Sequence, residues 1–225
     1  MSKLYTYCIP YDDGAAPNPY WGVCTLVICK PVIRRTAEIG DWIVGTGSTN
    51  SPIGDVSGCV VYAMRVSQKM TMAEYDAYSA AHLPNKVPQL SHRDVRHRLG
   101  DSLYDYSINP PTQRGGVHGA GNVGTDLGGR NALLADYFYY FGDHPQRLPH
   151  DLQGIVRQGQ GHRSNSNAPY LERFVEWVNS LGYAPNTLVG QPQLNLFENE
   201  KMIQACATRC AQEDGEDERI GESVC

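Results

Sequence analysis

The sequence lacks the signals of several large protein classes. No apolar run approaches the roughly 20 residues that a membrane-spanning helix requires, and no secretory hydrophobic segment follows Met1. The motifs GxxxxGK[ST], GxSxG and HExxH are absent, which removes support for P-loop phosphoryl transfer, α/β-hydrolase chemistry and zincin chemistry. The sequence therefore predicts a cytoplasmic protein that does not bind a membrane, and it indicates no metal and no cofactor.

A general excess of positive charge is also missing. The net charge is −5, and residues 211–225 alone account for it, since they contain six acidic residues and one arginine. The remaining chain is balanced in charge, which argues against a broad basic face for nucleic acid. Two local basic clusters, Arg34-Arg35 and Arg93 to Arg98, are sufficient to contact a few phosphates.

Cysteine is present at irregular spacing. Seven cysteines in a chain without a secretory segment favour reduced thiols, most of them in the core, over a disulfide framework. Cys206 and Cys210 lie one helical turn apart, and Cys225 ends the chain. Their spacing is not that of a usual zinc site.

Apolar runs bounded by glycine and proline predict a domain with β structure. We expect strands at Leu4 to Ile9, Cys24 to Cys29, Trp42 to Gly45 and Cys59 to Val66, and another over Asn131 to Phe141. Residues 84–131 have little periodicity, and so long a loop region inside a compact domain is usually functional or flexible.

Three helices are predicted between or after these strands. Thr71 and Glu74 form a capping box at the start of a helix from Met70 to Leu83. Apolar residues share one face over Pro169 to Gly182, and a further helix is expected over 195–212, before the acidic end.

The loop between the first two strands carries side chains that accept hydrogen bonds. Asp12, Asp13 and Asn18 can bind the donor edge of a base or an amino group. Aspartate and asparagine also stabilise their own turns. A structured turn without a ligand is therefore the alternative.

Positive charge and an indole follow the second strand. Lys30, Arg34 and Arg35 suit a phosphate, although a solvated charged face explains them as well. Trp42 follows Asp41 at a turn, where an indole can stack on a flat ring or pack in the core.

A late glycine-flanked segment, Gly159 to Arg163, is a further candidate. Its backbone amides can form an anion nest, with His162 available for proton transfer and Arg163 for neutralising charge. Histidines in loops more often face solvent than take part in catalysis.

Several of these blocks together resemble a known family. They are Asp12 to Pro19, Cys24-Thr25-Leu26, Cys29-Lys30-Pro31, Ile33-Arg34 and Gly40 to Gly45, followed by Gly100 to Tyr104, Tyr137 to Gly142 and Gly159 to His162. This pattern is similar to the second type of nucleotide modification associated domain, over about residues 3–165. The resemblance implies an association with base modification machinery in phages or bacteria, but it implies no reaction.

These observations predict an α+β domain over residues 1–190, with a C-terminal helix and acidic tail over 191–225. We expect a curved mixed sheet or a partial, PUA-like barrel with flanking helices, and a pocket that binds a nucleotide or a modified base. The expected ligand contacts are Asp12, Asp13, Asn18, Lys30, Arg34, Asp41, Trp42, Tyr104, Gln160, His162 and Arg163.

Two other functions stay open. One is an enzyme that modifies or hydrolyses a nucleotide, with Asp13 or Asp101 and His162 as acid and base. The other is a protein interaction module that uses the acidic tail, residues 213–225.

Overall fold

The structure is a computed structural model that describes residues 2–198 and Thr208. The acidic tail, Cys206, Cys210, Cys225 and most of the helix expected over 195–212 lie outside the described residues. Within residues 2–198, no helix combines the length and the apolar character needed to cross a bilayer. The division of the chain at residue 190 stays a prediction.

The described chain combines short strands with short helices. The strands are β1 Leu4–Cys8, β2 Cys24–Leu26, β3 Trp42–Thr46, β4 Cys59–Arg65, β5 Gln68–Thr71, β6 Tyr104–Asp105, β7 Thr112–Gln113, β8 Asn131–Ala135, β9 Tyr137–Tyr140, β10 Gln146–Arg147, β11 His162–Arg163 and β12 Thr187–Leu188. The α-helices are α1 Pro31–Thr36, α2 Met72–His82, α3 Val95–Arg98, α4 Val123–Gly128 and α5 Leu171–Asn179. The 3₁₀ turns are Pro84–Lys86, Ala120–Asn122, His150–Ile155, Asn165–Tyr170 and Leu196–Glu198.

The main sheet has seven strands and is mixed. Six follow the order β11-β1-β3-β4-β9-β12, and β10 pairs with β4. β1 is parallel to β3 and β9 to β12, while the other pairs are antiparallel. A smaller antiparallel sheet has the order β2-β8-β5, and β6 pairs with β7.

The predicted α+β class with a mixed sheet and flanking helices is therefore confirmed. Across the described residues the main sheet does not close into a barrel. The likeness to a PUA fold stays a prediction.

Both faces of the main sheet are buried, which explains why β1 has no exposed side chain. Tyr5 and Tyr7 point into a core shared with Leu133 of the smaller sheet. Leu4 points the other way, into a core completed by Phe174 of α5. Because successive residues of a strand face opposite sides, one strand contributes to both cores.

The aromatic run from Asn131 to Phe141 is two strands instead of the single one expected. β8 belongs to the smaller sheet and β9 to the main sheet, with the exposed Asp136 between them. The N–H of Asp136 donates to Ser67 Oγ at 3.2 Å. The chain passes from one sheet to the other at this residue.

The capping box of α2 is confirmed. Thr71 Oγ1 accepts from the N–H of Glu74 at 3.2 Å, and Glu74 Oε2 accepts from the N–H of Thr71 at 2.8 Å. The helix begins at Met72, since Met70 belongs to β5.

Replacing Thr71 by alanine should lower the free energy of unfolding by about 1 kcal/mol, because one N–H of the first turn then loses its acceptor. The matched control is Thr71→Ser, which keeps the oxygen and should stay close to the wild type. Urea denaturation measures both variants. Equal stability of the two variants would contradict a capping role for the hydroxyl.

Candidate functional site

A cleft opens where the end of β1 meets the turn before α1. Counting its part open to solvent, it has a volume of about 550 Å³. Its polar and aromatic lining residues are Tyr7, Tyr11, Asp13, Cys29, Lys30 and His118.

The turn that carries Cys29 and Lys30 has an unusual backbone. Their φ angles are +57° and +43°, in the left-handed region that residues other than glycine seldom adopt. Pro31 then begins α1. The buried guanidinium of Arg34 donates from Nε to the Cys29 carbonyl at 2.7 Å and holds this turn in place.

Cys29, His118 and Asp126 form a line of contacts at the cleft. Cys29 Sγ lies 3.5 Å from His118 Nε2, and His118 Nδ1 lies 2.8 Å from Asp126 Oδ2. The other carboxylate oxygen, Asp126 Oδ1, accepts from the N–H of Cys29 at 3.0 Å. One buried carboxylate thus fixes both the histidine ring and the backbone of the cysteine.

The surroundings of Asp126 are polar. Tyr104 donates its hydroxyl to Asp126 Oδ2 at 2.9 Å, and burial raises the pKa of Tyr104 so that it remains a donor. Gln113 Nε2 donates to the carbonyl of His118 at 3.2 Å. These bonds fix the loop that carries the histidine.

Cys29 is disulfide-bonded, so the expectation of reduced thiols is wrong at this position. The spacing of the cysteines in the sequence does not reveal this disulfide. Cys8, Cys24 and Cys59 keep their thiol groups. Burial raises the pKa of the Cys24 thiol to about 12, so this cysteine is an inert part of the core.

Asp13 and Lys30 give the cleft a carboxyl and an ammonium group. Asp13 Oδ1 accepts from the N–H of Ala15 at 2.8 Å. Burial nevertheless raises the pKa of Asp13, which favours the neutral form with one donor and one acceptor. Lys30 Nζ lies 4.6 Å from the centre of the Tyr7 ring, and Tyr7 shares a 2.8 Å hydrogen bond with Tyr62.

Two other polar residues of the early loop support the fold. Asp12 accepts from the Tyr140 hydroxyl at 2.7 Å on both oxygens, and burial raises its pKa to about 7. Asn18 Nδ2 donates to the Leu99 carbonyl at 2.9 Å, while its Oδ1 accepts from Lys86 Nζ at 2.8 Å. Both side chains are buried.

Arg34 and Trp42, expected at a phosphate and a base, are interior residues. Arg34 is fully buried, and its pKa falls to about 10 through burial, so it stays cationic at neutral pH. Trp42 makes edge contacts with Tyr137 and Phe174. The preceding carboxylate, Asp41, accepts from the N–H of Lys3 at 2.7 Å, and it closes a turn by accepting from the N–H of Glu38 at 2.8 Å.

The residues named for acid–base chemistry occupy different places. Asp101 is fully buried and accepts from the hydroxyls of Thr25 at 2.5 Å and Tyr75 at 2.6 Å. His162 is buried in β11 with its ring centre 5.7 Å from that of Tyr5. Among the described residues lining the cleft, Asp13 is present and these two are not.

The late glycine segment also lies apart from the cleft lining. The Gln160 carbonyl accepts from Arg157 Nε at 2.9 Å, and Arg163 Nε donates to Ser166 at 3.1 Å. Of the eleven ligand contacts expected from the sequence, the described cleft lining contains Asp13 and Lys30. Tyr104 is not part of the lining but donates a hydrogen bond to Asp126.

No sequence pattern singles out Asp126 or connects Cys29 with His118. The two are 89 residues apart, and no local spacing connects them. A glycine pattern, Gly119-Ala120-Gly121-Asn122-Val123-Gly124, does mark the segment between His118 and Asp126. It does not directly follow a strand, as a dinucleotide-binding fingerprint would, because β7 ends at Gln113.

Comparisons with known proteins give one match. The family model described as nucleotide modification associated domain 2 matches residues 1–200, further than the 3–165 expected from the sequence blocks. Neither the curated proteins nor the solved structures contain a match to the chain. Since the matched region is most of the chain, the protein belongs to the nucleotide modification associated domain 2 family.

Proposed function

We propose that the cleft binds a nucleotide or a modified base. One observation carries this proposal: a carboxyl, an ammonium group and tyrosine rings line the same cleft, as Asp13, Lys30, Tyr7 and Tyr11. Each suits a different part of a nucleotide. The family's association with nucleotide modification supports this choice of ligand over other small molecules.

The chemistry of each group assigns it a part of the ligand. Lys30 suits the phosphate, as a compact cation with three donors. The carboxyl of Asp13, shifted towards its neutral form, can both donate to and accept from a base edge. Tyr11 is partly exposed at the cleft and offers a ring for stacking, which is worth about 1–3 kcal/mol per base.

Replacing Lys30 by alanine should weaken binding of a deoxynucleoside monophosphate about 10-fold, since a charge-assisted hydrogen bond contributes roughly 1.5–3 kcal/mol. The four common deoxynucleoside monophosphates and their 5-substituted pyrimidine analogues serve as probes. Calorimetric titration measures the affinity, after thermal-shift screening has found the best probe.

The matched control is Lys3→Ala, which removes the same charge from an exposed lysine outside the cleft lining. It should leave the affinity unchanged. Equal losses in both variants would reduce the effect of Lys30 to overall charge. A screen in which no nucleotide raises the melting temperature of the full chain would overturn the proposal.

A further inference from the structure

We propose that Cys29, once its disulfide is reduced, is a catalytic nucleophile for acyl transfer, with His118 carrying the proton and Asp126 positioning both. The substrate class is an ester, thioester or amide whose acyl group is joined to the nucleotide or base in the cleft. For that substrate, the inference rests on the function proposed above.

The geometry gives each group a distinct role. Because a carboxylate oxygen accepts, the 2.8 Å contact makes His118 Nδ1 the donor to Asp126 Oδ2. The other ring nitrogen, Nε2, then presents its lone pair to Cys29 Sγ at 3.5 Å. A nucleophile, a base and a group that orients the base are the arrangement that activates cysteine and serine on unrelated folds.

The position of the cluster relative to solvent supports catalysis over a structural role. Asp126 is fully buried, while Cys29 and His118 are buried except for 6% and 7% of their surface and belong to the cleft lining. A ligand in the cleft would therefore lie next to the sulfur and the imidazole, with the carboxylate behind them.

The disulfide makes the reaction dependent on reduction. A thiol reductant reduces the disulfide to two thiols and is itself oxidised. His118 Nε2 takes the thiol proton, and the sulfur attacks the carbonyl carbon to form a new S–C bond. His118 returns the proton to the leaving alcohol, thiol or amine as its bond to that carbon breaks. Water then attacks the thioester, with His118 again taking a proton, and releases the carboxylic acid and the Cys29 thiol.

The test uses the full chain, reduced with dithiothreitol, and p-nitrophenyl acetate as an acyl donor that does not require nucleotide binding. We expect a burst of one nitrophenolate per chain and one acetyl group on Cys29 by peptide mapping. Unreduced protein and Cys29→Ala should give no burst. The control variant Cys59→Ala removes a free cysteine outside the cleft lining and should keep the full burst.

Two substitutions test the partners of the cysteine. His118→Gln should slow acetylation about 100-fold or more, the range of proton-transfer catalysis. Asp126→Asn should change the pH profile of Cys29 acetylation, which loss of packing alone would not do. A burst that persists in Cys29→Ala, an acetyl group found on Cys8, or an unchanged rate in His118→Gln would overturn the proposal.

A measurement within one molecule guards against variants that fail to fold. In the reduced wild-type chain, iodoacetamide should alkylate Cys29 at least 10-fold faster than Cys8, which lines the same cleft. Equal rates would overturn the inference. Nucleotide titration of the wild type and of Cys29→Ala separates the two proposals. A burst in the wild type without nucleotide binding in either protein would contradict only the nucleotide function. Nucleotide binding without a burst in the wild type would contradict only the catalytic role of Cys29.

Discussion

Replacing Arg34 by alanine is expected to lower the free energy of unfolding by about 4 kcal/mol. The guanidinium donates to four backbone carbonyls, at 2.7 Å to Cys29, 3.3 Å to Thr125, 2.6 Å to Asp126 and 3.0 Å to Asn131. Each buried acceptor left without a partner costs about 1 kcal/mol or more, whereas the Asp126 carbonyl still accepts from the N–H of Gly129 at 3.3 Å. The vacated space adds the cost of a cavity.

The neighbouring residue supplies a matched control. Arg35 carries the same charge but is exposed, and its guanidinium donates to the Gly128 carbonyl at 2.7 Å. Arg35→Ala should change stability by no more than about 0.5 kcal/mol, as is usual for surface substitutions. Urea denaturation followed by tryptophan fluorescence compares the two variants.

Arg34→Lys provides an intermediate case if the alanine variant does not fold. Lysine has three donors on a flexible stem and cannot reproduce the planar group, so we expect a loss of about 2 kcal/mol. Cys29 should also become less reactive, because the guanidinium connects its carbonyl with that of Asp126. If Arg34→Ala proves as stable as Arg35→Ala, the guanidinium does not hold the site together.

The second large effect is a dependence of stability on pH that comes from Asp12. Burial raises the pKa of this carboxyl from 3.8 to about 7 in the folded chain. Between these values the folded state keeps a proton that the unfolded state has released, so stability falls as the pH rises from about 4 to 7. At roughly 1.4 kcal/mol per unit of pKa shift, the full effect is about 4 kcal/mol.

Asp12→Asn removes the titration while keeping the shape of the side chain. Between pH 5 and 8, wild-type stability should fall by about 3 kcal/mol more than that of this variant. Asp55→Asn is the control, because hydrogen bonds from Ser57 lower the pKa of that exposed carboxyl and place its titration below the window. If the free energy of unfolding changes with pH equally in the wild type and in Asp12→Asn, the Asp12 carboxyl does not hold a proton in the folded state.

Much of the secondary structure follows from local sequence. The apolar runs at Leu4, Trp42 and Cys59 form β1, β3 and β4. An apolar pattern and β-branched side chains favour a strand over a few neighbouring residues, so this signal is readable from local sequence. The capping box at Thr71 is equally local. The division of the aromatic run at Asp136 depends on which strands pair with each half of the run, and those strands are distant in sequence.

The site was less predictable for a physical reason. Aspartate, asparagine and arginine bind ligands and support turns through the same hydrogen bonds, so Asn18 and Arg34 fit both roles in the sequence. Only the tertiary structure shows that the donors of Asn18 and Arg34 are bound to buried backbone carbonyls. In the same way, His118 joins Cys29 only because the loop before α4 folds over the turn before α1.

A structure of the reduced protein with a bound deoxynucleoside monophosphate would show whether this cleft is the binding site. We expect density in the cleft, with the phosphate within hydrogen-bond distance of Lys30, the base edge at Asp13, and the sulfur of Cys29 facing the ligand. Density in the separate groove between Arg147 and Arg157, with this cleft holding only solvent, would contradict it.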